Sequence, residues 1–246
     1  MSHLETHVEM YKEADRLAPE ARARERELLL DRMNLEWDHV VCDVPAWGGY
    51  LAQGIQRPSR VYCIEPTIEF LTDAPYHVIR AHPVKIPLDS GIADRVGSLV
   101  GLHHYTLKTR RAVVQEMVRL LKPGGTLVIA EVLDDSAVAR FLNGPVNTLS
   151  NRGHRGEFFK SGECTQLLTD CGLTDVTETF EDSFWSFDST EQLAAYCYQL
   201  FGMVKAAPGV VWNAIQAHFS FSRAEMSQGM VRLPWPLLYG VGTKPL

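Results

Sequence analysis

The residues best suited to binding chemistry are a turn of mostly small side chains, Asp43 to Gly49, and an acid that follows it, Glu65. A buried-strand pattern precedes each of them, and a helical stretch lies between them. Such a turn lets the backbone approach a ligand closely, and an acid about 20 residues downstream can accept hydrogen bonds from ribose hydroxyls. This order predicts a nucleoside pocket in an open α/β sheet.

One residue of the turn departs from that description. Trp47 places a large indole where a backbone-only surface is expected. The alternative interpretation is therefore that the indole packs under the following helix and the loop merely closes an α/β turn. Glu65 has a similar alternative, as a solvent-facing residue at the end of a strand.

Two further groups of residues could handle protons and charge. His103 and His104 follow a predicted strand, and open α/β sheets bind ligands outside the carboxyl ends of their strands. A glycine-flanked loop over residues 143–156 is predicted to act as a mobile clamp on a substrate; its charged residues are Arg152, His154 and Arg155. The structural alternatives are that one of the paired histidines is buried on a backbone carbonyl and that His154 is a solvated loop residue.

Composition excludes several classes of protein. The 246 residues are 46% hydrophobic, enough for a sizeable core, and carry a net charge of −6. That charge, with scattered basic residues, argues against nucleic-acid binding. No apolar run approaches the roughly 20 residues that span a bilayer, and the N-terminal segment lacks signal-peptide features, so a cytoplasmic protein without membrane contact is expected. The five cysteines contain no CxxC pair, and no metal site is predicted.

Strand-like and helical patterns alternate along the chain, which predicts a doubly wound α/β fold. Residues 5–33 are predicted to be helical, in two pieces broken near Pro19. A helix over Thr109 to Leu121 has Val113, Met117 and Leu120 on one face and is ended by the turn Lys122 to Gly125. The predicted strands are His39 to Val44, Arg60 to Ile64, His77 to Ala81, Val96 to Leu102 and Thr126 to Val132.

The last third of the chain closes the sheet. A helix over Ser161 to Cys171, capped by Ser161, leads into a strand over Val176 to Phe187, and Leu237 to Thr243 is its predicted antiparallel partner. We therefore expect a seven-stranded, mostly parallel sheet with a C-terminal antiparallel hairpin. One domain over residues 1–246 is predicted, with a helical cap over 1–36 and inserted helices over 189–225.

The order DVPAWGGYLA, CIEP, KIPLDSGIADRVGSLVGLHHY and LLKPGGTLVIAEV resembles the class I S-adenosylmethionine-dependent methyltransferases, and most closely their small-molecule branch. The likeness covers about residues 39 to 133 and the two late strands. It implies that the turn, with Asp43, Pro45, Trp47, Gly48 and Gly49, lies under the methionine part of the cofactor. It also implies that Glu65 binds the ribose, that His82 flanks the adenine, and that the loop with Leu102 and the two histidines lies beside the transferred methyl group.

The resemblance is incomplete at three positions. Pro45 and Trp47 stand at the first and second glycines of the family's D-x-G-x-G-x-G pattern, so the glycine-rich motif is degenerate. His82 stands where the family offers an aspartate to the adenine amino group; a neutral histidine can still accept one hydrogen bond. A nicotinamide-binding protein is the nearest rival, but GxGxxG is absent and a closing hairpin does not fit an all-parallel sheet.

The predicted activity is S-adenosylmethionine-dependent methyl transfer to an oxygen or nitrogen of a small molecule. His104 or His154 is the expected base, with Tyr11, His103, Arg152 and Arg155 contacting the substrate. The alternative is a protein of the same fold that has lost methyl transfer and binds a partner or catalyses another reaction in the same pocket. The oligomeric state stays open, with a homodimer among the alternatives.

Overall fold

The computed structural model describes residues 3–55, 60–71, 76–222, 226 and 229–246, without the side chains of residues 3–5 and 208. The predicted inserted segment 189–225 therefore ends at residues that lie outside the described part. The chain forms two compact units. We call Glu25–Asp134, Glu157–Glu181 and Leu237–Leu246 the sheet unit, and Met1–Arg24, Asp135–Gly156 and Asp182–Pro236 the helical unit.

The described elements follow the predicted alternation. The helices are α1 His3–Leu17, α2 Ala23–Met33, α3 Tyr50–Gln53, α4 Leu107–Leu120, α5 Ala137–Phe141, α6 Asn147–Leu149, α7 Glu163–Asp170, α8 Thr190–Leu200 and α9 Pro208–His218. The strands are β1 Val40–Asp43, β2 Arg60–Ile64, β3 His77–Ile79, β4 Ala93–Leu99, β5 Leu121–Glu131, β6 Thr174–Glu181, β7 Phe184–Phe187, β8 Val231–Pro234 and β9 Leu237–Thr243.

The sheet unit has the predicted seven-stranded sheet, in the order β3-β2-β1-β4-β5-β9-β6. Strands β1 to β5 pair in parallel, and β9 runs antiparallel between β5 and β6. Strand order reverses between β1 and β4, and an open sheet of this type binds ligands outside the carboxyl ends of its strands at such a switch point. The fold class predicted from the sequence is confirmed.

Helices cover both faces of this sheet. A Cβ added at Gly97 of β4 would lie 2.6 Å from Leu51 of α3 and 3.1 Å from Met33 of α2, so these two helices pack on one face. The core on the other face joins Val96 of β4 to Met117 of α4 and to Leu168 of α7. Because side chains alternate between faces along a strand, apolar runs were to be expected in the central strands.

Several predicted boundaries differ from the structure. β4 ends at Leu99, and Leu102 begins a short 3-10 turn instead of ending the strand. β5 begins at Leu121 because that residue already pairs with Ala93, so the turn of Lys122 to Gly125 lies within the strand as a register irregularity. Helix α7 is capped at Gly162 and not at Ser161. The late strand over Val176 to Phe187 is two strands, β6 and β7, in different sheets.

The helical unit contains α1, α5, α6, α8, α9 and a two-stranded sheet of β7 and β8. Helix α1 ends at Leu17 and α2 begins at Ala23, on either side of Pro19, and α8 and α9 lie within residues 189–225. Its core is aromatic: the rings of Trp185 and Trp235 stack at 3.9 Å, and Phe141 packs edge-on to Trp235 at 6.4 Å. Among the described residues, no helix combines the length and the apolar character that crossing a membrane requires.

Candidate functional site

The turn after β1 brings its backbone to the carboxyl edge of the sheet. Asp43, 1% exposed, accepts a hydrogen bond from the N–H of Ala52 in α3. Burial raises the pKa of Asp43 well above its usual range, and the charge of Glu65 adds to the shift. Gly49 adopts φ 72°, in the left-handed region that glycine favours, and Trp47 adopts φ 46° there at a cost that glycine would not incur. The turn thus combines a buried acid with strained backbone.

Glu65 lies beside this turn, at the end of β2. Its Oε2 accepts the N–H of Trp47 at 2.9 Å, and its Oε1 accepts the N–H of Thr67 at 2.8 Å. Burial raises the pKa of Glu65 to about 7, although both N–H groups favour the charged form. A carboxylate offers about four acceptor positions, so two remain for hydroxyl donors. Glu65 is therefore not a solvent-facing strand end: it is 3% exposed.

The Trp47 indole lies across the carboxyl ends of β1 and β4. Its Nε1 would be 2.9 Å from a Cβ at Gly101, and its ring centroid is 5.1 Å from that of His104 and 5.9 Å from that of Phe70. Among the described residues, Nε1 is buried without a hydrogen-bond partner. Val100, just before Gly101, also has a positive φ of 54°, which is a clear outlier for a β-branched residue. Backbone strain thus concentrates at this edge.

The rings of His82 and Tyr105 form an aromatic pair near Glu65. His82 is exposed, and its ring meets Tyr105 edge-on at 5.9 Å. Burial raises the pKa of Tyr105 to about 12, with the charge of Glu65 adding to the shift. Glu65, His82 and Tyr105 therefore form one neighbourhood, which suits a ribose and an attached planar base.

At the carboxyl edge of the sheet, the buried side chains of Glu131 and His103 are joined by a hydrogen bond. Glu131, 0% exposed at the end of β5, lies with Oε2 2.8 Å from Nδ1 of His103, which is 3% exposed. The other oxygen of Glu131 accepts the N–H groups of Leu102 and His103, and Oε2 also accepts that of Val132 at 3.2 Å. Leu102 itself is buried in the core, so only its backbone reaches this edge.

The charges around Glu131 hold it ionised. Burial opposes ionisation, but the charge and hydrogen bond of His103, the N–H of Leu102 and the charge of Arg110 outweigh burial and lower the pKa of Glu131. Arg110 of α4 is itself buried, with its guanidinium 4.0 Å over the ring of Phe159 and 2.7 Å from Glu163. A buried charge is tolerated when it is paired and hydrogen-bonded, as Glu131 and Arg110 are.

The predicted substrate residues Tyr11, Arg152, His154 and Arg155 belong to the helical unit. Burial lowers the pKa of His7 on α1, and the charge of Arg152 lowers it further, so Arg152 lies near α1. Tyr11 is four positions after His7, on the same side of that helix. Arg152 and Tyr11 are thus brought to one region of their unit.

The predicted clamp loop is held by two asparagines. Its first part is helical, with a π-helical turn over Leu142–Val146 followed by α6. Asn147 Oδ1 accepts the N–H of His154 at 2.9 Å, and Asn143 Oδ1 accepts the N–H of Gly156 at 2.8 Å. These bonds give the predicted loop a defined conformation within the helical unit.

Sequence reasoning did not single out Glu131, Tyr105 or Phe158. Phe158 packs against the ring of His103 at 5.3 Å. The sequence does contain a signal for Glu131, because this acid follows an apolar strand in the same way as Asp43 and Glu65 do. Phe158 carries no such signal, because its contact depends on a segment that joins the sheet unit from later in the chain.

The sequence profile of the family described as a methyltransferase domain matches residues 43–129. An uncharacterized chloroplastic methyltransferase of Arabidopsis thaliana is 28% identical over 110 residues, 45% of this chain and 30% of its own length. The tetracenomycin polyketide synthesis 8-O-methyl transferase TcmO of Streptomyces glaucescens is 32% identical over 81 residues, 32% of this chain and 24% of its own. The matches thus span less than a third of each curated relative.

Solved structures share the whole fold at low identity. A Thermotoga maritima S-adenosylmethionine-dependent methyltransferase, described as a possible histamine N-methyltransferase, has a TM-score of 0.64 and 15% identity over 96% of both chains. SpnF, described as a [4+2]-cyclase, has a TM-score of 0.57 and 16% identity over 90% of this chain and 80% of its own. With the strand order, these similarities show a match to a methyltransferase domain over residues 43–129 and a fold shared with S-adenosylmethionine-dependent methyltransferases.

Proposed function

We propose that the protein is an S-adenosylmethionine-dependent methyltransferase that acts on an oxygen or nitrogen of a small molecule. The observation that carries the proposal is Glu65, buried at the end of β2 beside the turn and with acceptor positions left for two hydroxyls. The named activity of TcmO, O-methylation in polyketide synthesis, supports a small-molecule acceptor. A cytoplasmic location stays a prediction of the sequence.

The residues present fit most of the cofactor. Glu65 would accept the ribose hydroxyls, His82 and Tyr105 would flank the adenine, and the Asp43–Gly49 turn would lie under the methionine part. When bound, the cofactor supplies a methyl group on a sulfonium that is an excellent leaving group. The protein's own contribution is then alignment, exclusion of water and, for a hydroxyl or amine acceptor, removal of a proton.

Trp47 is the residue that limits the fit. Its indole lies against Gly101 and His104, in the loop that the resemblance puts beside the transferred methyl group. Among the described residues Nε1 has no hydrogen-bond partner, and an unsatisfied buried N–H costs about 1–3 kcal/mol, so the ring loses no described hydrogen bond if it moves. We infer that the indole turns away from this position when the cofactor binds.

The second candidate is a protein of this fold that does not transfer methyl groups. It is favoured by the position of the Trp47 ring at the switch point between β1 and β4. SpnF, named for a cyclisation, shares the fold. Under this hypothesis the indole stays in place and the pocket accepts no adenosyl ligand.

Calorimetry with S-adenosylmethionine and S-adenosylhomocysteine separates the two. A methyltransferase is expected to bind at least one of them with a micromolar Kd, about −8 kcal/mol. A rise in thermal midpoint on ligand addition checks the result independently of heat. Absence of both signals at saturating ligand would favour the second candidate.

Replacing Trp47 by glycine tests the position of the indole. Trp47→Gly removes the ring and relieves a positive φ, so the Kd for S-adenosylhomocysteine is expected to fall about tenfold, roughly 1.4 kcal/mol. Trp37→Gly is the matched control, because Trp37 is 69% exposed. If Trp47→Gly leaves the Kd unchanged and only lowers the free energy of unfolding, the indole is core and the cofactor does not reach it.

A further inference from the structure

We propose that Arg110 is a positioning residue of the candidate site, because it holds a short segment of chain across the carboxyl ends of β4 and β5. We call this segment, residues 157–159, the strap. The strap in turn fixes the turn after β4, which lies at the carboxyl edge of the sheet. This role deepens the proposed function and rests on it for the ligand, S-adenosylhomocysteine.

Arg110 is a buried charge that lies against the strap. It belongs to α4 and is 1% exposed. Its Nη1 lies 2.7 Å from Glu163 Oε1, and its Nη2 donates a hydrogen bond to the carbonyl oxygen of Glu157. The guanidinium carbon lies 4.0 Å from the centroid of the Phe159 ring. Glu157 and Phe159 are the two ends of the strap, so one planar side chain holds both of them.

Backbone hydrogen bonds tie the strap to the sheet. After β5, the N–H of Phe159 donates to the carbonyl of Val132 at 3.2 Å, and the carbonyl of Phe159 accepts the N–H of Asp134 at 2.7 Å. After β4, the N–H of Glu157 donates to the carbonyl of His103 at 2.8 Å. The strap therefore bridges the chain that follows β5 and the turn that follows β4.

The 3-10 turn Leu102–His104 connects the strap to the ligand side of the site. Tyr105 closes this turn, because its N–H donates to the carbonyl of Leu102 at 3.1 Å. The ring of Tyr105 lies in the neighbourhood proposed for the ribose and the adenine. Since His103 is the middle residue of the turn, a hydrogen bond to its carbonyl restricts the movement of Tyr105.

Arg110 also acts on this turn through Glu131. Glu131 accepts the N–H groups of Leu102 and His103. Burial opposes ionisation of Glu131, but the charge and hydrogen bond of His103, the N–H of Leu102 and the charge of Arg110 together lower its pKa. The turn is thus held at a carbonyl by the strap and at two N–H groups by Glu131, and Arg110 supports both.

Stability alone does not explain a buried arginine at this position of α4. The other buried positions of this helix are apolar: Val113, Val114, Met117 and Leu120. The helical repeat places Arg110 on the same face, where an apolar side chain would continue the core. Replacing a buried ion pair by apolar residues is often neutral or stabilising. The contacts of Arg110 with the strap are what an apolar residue would not provide.

The next residue of α4 offers a matched control. Arg111 lies 3.0 Å from Asp170, so it joins α4 to α7 as Arg110 does through Glu163. Its side chain is 48% exposed, and its described contacts do not include the strap. Arg111→Lys therefore changes an ion pair between the same two helices without changing the strap.

Hydrogen exchange measured by NMR tests the strap without any ligand. Arg110→Lys keeps a positive charge but loses the planar fork. Relative to the N–H of Val128 in β5, the N–H groups of Glu157 and Phe159 are expected to exchange about 10- to 100-fold faster than in the wild type, the factor for one lost hydrogen bond from a charged donor. Arg111→Lys should leave these relative rates unchanged. A role in global stability alone would raise all three rates together.

The N–H of Tyr105 extends this measurement to the turn. If the strap fixes the turn, exchange of this group in Arg110→Lys should also become faster relative to that of Val128. Glu163→Gln provides a milder variant, because it weakens the ion pair and leaves Arg110 in place. Its strap groups should exchange at rates between those of the wild type and of Arg110→Lys, and they decide the outcome if Arg110→Lys does not fold.

Binding of S-adenosylhomocysteine tests the consequence for the site. Arg110→Lys is expected to raise the Kd about tenfold, because the turn then has to be ordered at the moment of binding. Arg111→Lys should leave the Kd unchanged. Arg110→Met removes the charge as well, so it should raise the Kd at least as much, and Glu163, which is 24% exposed, keeps contact with water in that variant. Urea unfolding of each variant shows that the effect on binding does not follow global stability.

Two results would overturn the proposal. Exchange of the strap groups in Arg110→Lys that follows that of Val128 would show that Arg110 does not hold the strap. Faster exchange of the strap with an unchanged rate at Tyr105 and an unchanged Kd would show that the strap does not position the site. Failure of the proposed function is seen separately, as absence of S-adenosylhomocysteine binding in the wild type, and the exchange rates still decide the role of Arg110.

Discussion

Three acids end three strands of the same sheet, and their surroundings give them different charges. Asp43 at β1 has one described donor and a pKa raised by burial, and Glu65 at β2 has two donors and a pKa raised by burial to about 7. At Glu131 of β5, the charge and hydrogen bond of His103, the N–H of Leu102 and the charge of Arg110 outweigh burial and lower the pKa. Positive neighbours, together with hydrogen bonds, separate Glu131 from Asp43 and Glu65, at which burial prevails.

The pKa of Glu65 predicts a pH dependence for cofactor binding. The folded pKa is raised, so the proton is on Glu65 below about 7 and is lost above it. The ionised form accepts stronger hydrogen bonds from ribose hydroxyls, so the affinity for S-adenosylhomocysteine should rise through this range and then level off. The expected gain is about 1 kcal/mol, the difference between charged and neutral hydrogen bonds.

Calorimetry one pH unit on each side of about 7 measures this gain. Glu65→Gln should bind more weakly at high pH and lose the dependence, apart from the titration of the ligand itself. Glu69→Gln is the control, because Glu69 is exposed and its pKa is lowered, chiefly by hydrogen bonding to backbone. Equal pH dependence in wild type and Glu65→Gln would contradict a role for Glu65 in ribose binding.

The N-terminus of helix α7 is capped by a residue of strand β6 instead of by a neighbouring residue in the sequence. Glu178 of β6 accepts the N–H of Gly162 at 2.7 Å and the N–H of Thr165 at 2.9 Å. A carboxylate at a helix N-terminus satisfies free N–H groups and interacts favourably with the helix dipole. Ser161 is therefore displaced from the role that the sequence predicts for it.

Removing that carboxylate should destabilise the protein. Glu178→Ala is expected to lower the free energy of unfolding by about 1 kcal/mol, the usual cost of losing an N-terminal cap. Ser161→Ala, at the predicted cap, should change it by less than about 0.5 kcal/mol. Urea unfolding at one temperature compares the two variants. The assignment fails if Ser161→Ala costs as much as Glu178→Ala.

Strand β9, which comes last in the sequence, completes the seven-stranded sheet. β9 enters between β5 and β6, and Gly240 of this strand allows α7 to pack closely on it. A Cβ at Gly240 would lie 2.2 Å from Sγ of Cys164. The closing strand therefore depends on a contact between residues far apart in sequence, which no local pattern specifies.

Adding a side chain at Gly240 tests whether the close packing of α7 on β9 contributes to stability. Gly240→Ala is expected to cost about 1–3 kcal/mol of unfolding free energy through overpacking. Cys164→Ala removes the sulfur and should recover part of that loss in the double variant, a coupling that a double-mutant cycle measures. Gly209→Ala serves as the control, since nothing lies within 4 Å of its added Cβ. Additive losses would show that the two residues do not meet.

The alternation of strands and helices and the acid at the end of β2 are predicted from local sequence patterns alone. These features follow from periodicity and from the fixed position of a turn after a buried strand, so neighbours along the chain suffice to predict them. The wrong boundaries of β5 and α7 each depend on a partner elsewhere in the chain: Leu121 pairs with Ala93, and Glu178 caps α7.

The partner of His103 and the position of the Trp47 indole depend on which strands are neighbours in the folded sheet. His103 and Glu131 are 28 positions apart and meet because β4 and β5 are adjacent in the sheet. Trp47 reaches Gly101 because β1 and β4 are adjacent, although β2 and β3 separate them in sequence. Side-chain packing between strands that are distant in sequence depends on the order of the whole sheet, and a single sequence does not encode that order in any local pattern.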